Sequence, residues 1–189
     1  MPDADDLDHR VQHLVTADDH REVWRLVDAR WAATLDRALA LPEATLRERV
    51  NGEWSFVETL RHLVFAVDVW LGRTLPFADP GPEAVHPLGL PHSSYPDDLA
   101  RSIGVDVGAD PSLADVLAAR EEARALVRGV LADLADDDLP RRCPRVPAPG
   151  YDEAPPTVHE CLWTVTEEAH LHHGYATRDL RALTSLTFD

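Results

Sequence analysis

Four stretches of this chain repeat apolar residues at steps of three and four, and that pattern restricts the fold more than any other feature of it. Three of the four open on the same start signal, a hydroxyl residue with an acid three positions later: Ser55 with Glu58, Ser112 with Asp115, and Thr157 with Glu160. In such a box each side chain satisfies a backbone amide that the first turn of a helix leaves free. The expected helices run from about Asp18 to Leu41, Ser55 to Leu75, Ser112 to Leu134 and Thr157 to Leu183. Pro42 ends the first, and Pro155 and Pro156 stand directly before the last. No segment alternates polar and apolar residues in the manner of a strand. The expectation is an all-α chain, and amphipathic helices of this number and length predict a four-helix bundle.

The connections are unequal. Residues 1–17 read as a polar N-terminal lead, and residues 76–111 as a long Pro- and Gly-rich loop between helices two and three. A connection of that length lets the two helices it joins run parallel. A shorter Pro-rich stretch, Pro140 to Pro156, leads into helix four, and either connection has room for a short strand. Neither half of the chain has enough helices to close a core alone, so residues 1–189 are expected to form a single domain.

A formal net charge of -16 argues against nucleic acid, whose affinity for proteins comes largely from Lys and Arg at its phosphates. No apolar run approaches the roughly 20 residues of a membrane span. The opening MPDADDLDHR is acidic where an export signal would be basic and then apolar, so the cytoplasm is the expected compartment. The two cysteines, Cys143 and Cys161, fit a reducing compartment and read as structural. The ten histidines carry more information, because imidazole is the commonest neutral metal ligand.

On helix two, Leu60, Val64, Val67 and Leu71 form one apolar stripe, and Phe65, Ala66 and Val69 form another on the opposite side. His62 falls in the second stripe. A helix apolar nearly all round is buried, and a buried imidazole has to find a polar partner. On helix four the apolar seam is Val158, Leu162, Val165, Ala169, Ala176, Leu180 and Leu183. His172 and His173 flank that seam, while His159 and His170 point away from it, toward solvent. Residues four apart share a helix face. Glu168 stands four before His172, whereas His173 has Ala169 at that position, so the pair Glu168 and His172 is preferred and His173 is an outer partner or alternate ligand. With His62 the set comprises two imidazoles and one carboxylate, suited to zinc, nickel or ferrous iron, with coordination positions left for water or substrate. The bland alternative is a helix-surface ion pair at Glu168 and a histidine at 62 that merely packs. Asp68, Arg178 and Asp179 read as structural ion-pairing groups, and Trp54, Trp70 and Trp163 as core anchors.

The same residues carry a resemblance to a known family. Asn51-Gly52-Glu53-Trp54-Ser55-Phe56-Val57-Glu58-Thr59-Leu60-Arg61-His62-Leu63, followed by Val67 to Leu71, resembles the second-helix signature of the DinB-like superfamily. The run from Glu167-Glu168 through His172-His173-Gly174-Tyr175 to Leu180 is similar to its C-terminal partner motif. The resemblance implies a four-helix bundle in which one histidine of helix two and two ligands a turn apart on the last helix hold a divalent metal. Carried over, these are His62, Glu168 and His172. The chain departs from the pattern at Ala169, His170 and Leu171, where many members have bulky or acidic residues. Some relatives, mycothiol-dependent maleylpyruvate isomerase and bacillithiol transferases among them, use the metal to activate a low-molecular-weight thiol.

The expected activity by that resemblance is a thiol-dependent S-transferase or isomerase acting on a small-molecule electrophile. Two alternatives stand beside it. One is a metal-dependent hydrolase in which His173 or a carboxylate shuttles protons, and the other is a non-catalytic bundle with structural histidines. A homodimer is compatible with a bundle that exposes a helical face.

Overall fold

The computed structural model describes residues 4–75, 85–151 and 154–184. These residues are helical throughout their ordered elements: α1 (Ala4–Gln12), α2 (Ala17–Ala38), α3 (Glu43–Leu46), α4 (Phe56–Val67), α5 (Asp97–Ser102), α6 (Leu113–Asp133) and α7 (Val158–Leu183). A π-helical turn, Asp68–Gly72, prolongs α4, and a 3-10 turn, Asp136–Asp138, follows α6. Among the described residues there is no strand, and the Pro-rich approach to α7 contributes only an isolated antiparallel bridge between Arg142 and Thr157. The all-α expectation holds. None of the described helices is long and apolar enough to cross a membrane.

The start signals work as the chemistry predicts. The Ser55 hydroxyl accepts from the Glu58 amide while the Glu58 carboxylate accepts from the Ser55 amide, and Thr157 and Glu160 repeat the exchange at α7. Thr16 and Asp19 make a further box at the start of α2. Ser112 caps α6 by accepting from the Asp115 amide. α4 packs against α6 and α7, and α2 packs against the same two helices. Trp31, Leu60, Leu162 and Leu180 are among the fully buried side chains where these faces meet. The Trp31 indole N–H donates to the Ala169 carbonyl at 2.8 Å, joining α2 to α7.

Two segments contain more structure than their composition announces. Inside the N-terminal lead, α1 seats Leu7 and Val11, both fully buried, against α2 and α7. Its sequence, ADDLDHRVQ, has too few apolar residues to display a period, yet two at a spacing of four suffice when a neighbouring helix supplies the rest of the contact. Inside the long connection, α5 contributes Ala100 to a second small apolar cluster with Ile103, Val105, Val85, Phe65 and Val69. That cluster covers the side of α4 turned away from the main core. It explains why every residue of α4 except Glu58 is buried.

A candidate metal centre

The turn before α4 determines what faces the centre. Asn51 and Gly52 both have positive φ, +53° and +80°, and Glu53 N–H closes the turn on the Val50 carbonyl at 3.0 Å. Asn and Gly are the residues that adopt this mirror-image turn at least cost. The chain is thereby reversed so that Trp54 lies over His62, with ring centroids 4.5 Å apart, and stacks on His172 at 6.0 Å.

His62 is 7% exposed. Its Nδ1 lies 2.9 Å from the Leu90 carbonyl. A carbonyl can only accept, so Nδ1 donates to it and Nε2 is the nitrogen left to face Glu168. That Nε2 lies 3.2 Å from Oε2 of Glu168. Leu90 belongs to a strap laid along α4: Leu90 N–H donates to the Arg61 carbonyl at 3.2 Å and Arg61 Nε donates to the Leu88 carbonyl at 2.8 Å. The long connection therefore sets the tautomer of the buried histidine.

From α7, His172 brings Nδ1 to 3.2 Å from the same Oε2 of Glu168 and to 2.9 Å from the Glu168 backbone carbonyl. A proton on Nδ1 satisfied by that carbonyl leaves Nε2 of His172 with its lone pair free. One carboxylate oxygen thus sits between two imidazoles, and one potential ligand atom from each of His62, Glu168 and His172 falls within 4.8 Å of the others. Burial alone would push the Glu168 carboxyl up, but the hydrogen bonds and positive potential of His172 and His62 outweigh it and hold the group down at about 2. Glu168 is therefore an anion at neutral pH. The edge of a tetrahedron around zinc, with bonds of about 2.0–2.1 Å, measures about 3.3 Å, close to the 3.2 Å between His62 Nε2 and Glu168 Oε2. The donor set and its spacing fit a divalent cation.

Above these residues opens a pocket of about 360 Å³ lined by Trp54, His92, His172, Tyr175, Arg49 and Asp179, among others. Its walls are mixed. Arg49 is paired with Glu58, and Arg178 bridges Glu53 and Asp179, so most of the charges at the rim are already neutralised.

The other histidines of α7 go elsewhere. His173 is buried on the face turned toward α2, with Nε2 2.9 Å from the Thr34 hydroxyl and its ring edge-on to Trp31 at 5.2 Å. Burial first, then the Arg30 guanidinium, lowers it to about 4, so it is a neutral core histidine. His159 and His170, expected to face solvent, are each partly buried and partnered: His159 Nδ1 meets His20 Nε2 at 3.0 Å, and His170 Nε2 meets Asp8 at 2.6 Å. Both partners lie on α1 or α2, whose approach to α7 a helical wheel does not contain. Arg178 and Asp179 form the expected ion pair at 2.8 Å, whereas Asp68 instead accepts the His86 amide at 2.7 Å and anchors the strap. Trp70 and Trp163 pack against the core as expected; Trp54 is a wall of the site. Sequence reasoning missed Trp54, Tyr175, His92 and the Leu90 carbonyl as site groups. For Trp54 a signal existed in its position directly before the N-cap; for Leu90 there was none, since a backbone carbonyl has no residue type to recognise.

A family model described as the DinB superfamily matches residues 26–176. No curated protein and no solved structure gives a significant match.

Proposed function

The chain belongs to the DinB superfamily, and from that premise we propose that His62, Glu168 and His172 hold one divalent metal ion, zinc before nickel or ferrous iron, for a thiol-dependent transferase or isomerase reaction on small electrophiles. The observation that carries the proposal is the meeting of His62 Nε2 and the His172 imidazole on one Glu168 oxygen, beside a pocket that His172 lines. Three protein ligands leave a tetrahedral ion with an open position, the arrangement of catalytic rather than structural sites. When bound, such an ion lowers the pKa of a coordinated thiol, so that the nucleophilic thiolate is available near neutral pH.

The chain's own groups supply the rest. Leu90 orients His62, and Trp54 covers both imidazoles against water. The exposed His92 and Tyr175 stand at the rim, where an imidazole and a phenol can meet the electrophile or take a proton. The pocket has the size of a small-molecule site, which suits a low-molecular-weight thiol such as mycothiol or bacillithiol with a compact second substrate. Hydrolysis with His173 as proton shuttle gains no support, because His173 is bonded to Thr34 inside the core.

The test has two stages. Tag-free protein is analysed for bound metal: about one ion per chain, lost in His62→Ala, supports the ligand set, and metal-free protein that takes up no zinc overturns it. Metal-loaded protein is then given mycothiol, bacillithiol or glutathione with model electrophiles, and products are followed by mass spectrometry. Conjugation that disappears on chelation supports the reaction class. Absence of metal-dependent conjugation with all three thiols overturns the reaction class and leaves the ligand set standing.

A further inference from the structure

A second, smaller cavity lies between α2, α4, α6 and α7, and its lining includes Trp24, Leu63, Val67, Arg120, Ala123 and Ala169. About 20 Å³ of it is open to the centre of a water-sized sphere, room for one water or one monatomic ion and too little for a tetrahedral oxyanion. Two of its lining residues carry buried N–H groups with no hydrogen-bond partner, Trp24 Nε1 and Arg120 Nε. Both side chains are more than nine-tenths buried, at 7% and 6% exposure.

The acids within electrostatic reach of Arg120, Asp28 and Glu121, are bonded to other arginines. The nearby acid Asp28 gives both oxygens to Arg124, at 2.6 and 2.7 Å, and Glu121 is shared by Arg124 and Arg128. Arg120 instead lies over the face of Trp31, 4.9 Å from the ring centroid. Burial holds its pKa down to about 10, the mark of a guanidinium whose charge is poorly solvated. A buried cation whose neighbouring acids are hydrogen-bonded to other groups is costly to keep in a core.

We propose that this cavity is a binding site for one halide-sized monovalent anion, chloride being the physiological candidate, held by the Trp24 indole N–H and the Arg120 guanidinium. The donor inventory decides between an ion and a water molecule. Indole and guanidinium only donate, Arg124 at the edge of the cavity only donates, and every other lining side chain is aliphatic. No lining side chain offers an acceptor to the hydrogens of a water, whereas an anion accepts from both orphan donors and neutralises the buried cation. The site is independent of the metal centre but mechanically adjacent to it. Leu63 and Ala169, which line it, follow His62 and Glu168 in the chain, so an occupant ties together the two helices that carry the triad.

The experiment is thermal unfolding of the full-length, chelator-treated protein at constant ionic strength, with gluconate replaced stepwise by chloride, bromide or sulfate. Chloride and bromide are expected to raise the Tm saturably and sulfate to leave it unchanged. Trp24→Phe, which keeps the packing and removes the N–H, is expected to weaken the halide effect at least tenfold. Arg120→Met is expected to abolish it, while being no less stable than the parent in chloride-free buffer. Bromide-soaked crystals should give one anomalous peak within hydrogen-bond distance of Trp24 Nε1 and Arg120 Nε. A Tm indifferent to halide, a halide effect unchanged in Trp24→Phe, or water alone at that position overturns the proposal.

Discussion

A buried imidazole must place two different ring nitrogens, and His62 does so asymmetrically: a backbone carbonyl takes the proton of Nδ1, and a carboxylate faces Nε2. That division makes Glu168 the residue on which metal affinity should depend most steeply, because it is the anion between two imidazoles. Glu168→Gln keeps the shape and removes the charge. Its affinity for zinc should fall by more than the roughly 10–100-fold that loss of an outer partner costs, measured by competition with a chromogenic chelator. A variant that retains parental affinity would exclude the carboxylate as a ligand. The neutral core histidines make a separate prediction about acid. Burial, then the neighbouring His159, lowers His20 to about 4, and His173 is lowered to about 4 as well. Each is more easily protonated in the unfolded chain, where histidine titrates near 6.5. The unfolded state therefore binds more protons between those values, so stability is fully present above about pH 6.5 and declines as pH falls toward 4. The slope reaches about 1.4 kcal/mol per pH unit for each group. Urea midpoints of metal-free protein should decline over that window, and the decline should be shallower in His20→Gln; an identical profile in the variant would remove His20 from the explanation.

At the scale of elements, α7 distributes its histidines by face. His172 serves the pocket, His173 the core, His170 the contact with α1 and His159 the contact with α2. The strap from Val85 to Tyr95 matters equally, because it supplies the acceptor for His62 without contributing a side-chain ligand. Gly89 lets it lie close: a Cβ there would come within 3.2 Å of both Phe65 Cβ and the His86 carbonyl. Gly89→Val should lift the strap from α4, leave helical circular dichroism unchanged and weaken zinc binding. Undiminished zinc affinity would mean that the Leu90 contact does not orient the ligand. α1 is tested through Leu7, which is fully buried in its seat on α2 and α7. Leu7→Ala should cost about 2–5 kcal/mol in a denaturant titration, the range for emptying a buried leucine site, and a cost near zero would mean that α1 does not dock in solution.

For the whole molecule, the proposed ligand set would link metal binding to folding, since the triad joins α4 to α7 and forms only when they pack. An ion present at 100 times its Kd adds about 2.7 kcal/mol to stability. In a chain of 189 residues that corresponds to a Tm lower by roughly 5–10 °C after chelation, and calorimetry with and without zinc reads it directly. Equal Tm values with and without the ion would show that the triad does not bind it in the folded state. The net charge of -16 surrounds the protein with cations but does not select among them. On the proposed ligand set, selection falls to the two imidazoles and the carboxylate.

Much of this was legible in the chain itself. Periodicity and capping boxes located the long helices, because hydrophobic stripes and N-caps are local properties carried by residues three and four apart. The choice of Glu168 with His172 over His173 followed from the same spacing, and the two residues do meet His62. What the sequence could not contain was every feature made by distant segments: α1 stabilised by contacts it does not itself encode, the strap that determines which nitrogen of His62 is free, Trp54 folded over the site, and partners for the histidines that a helical wheel assigns to solvent. Those depend on which faces are brought together, and long-range packing decides that only once the whole chain has collapsed onto a common core.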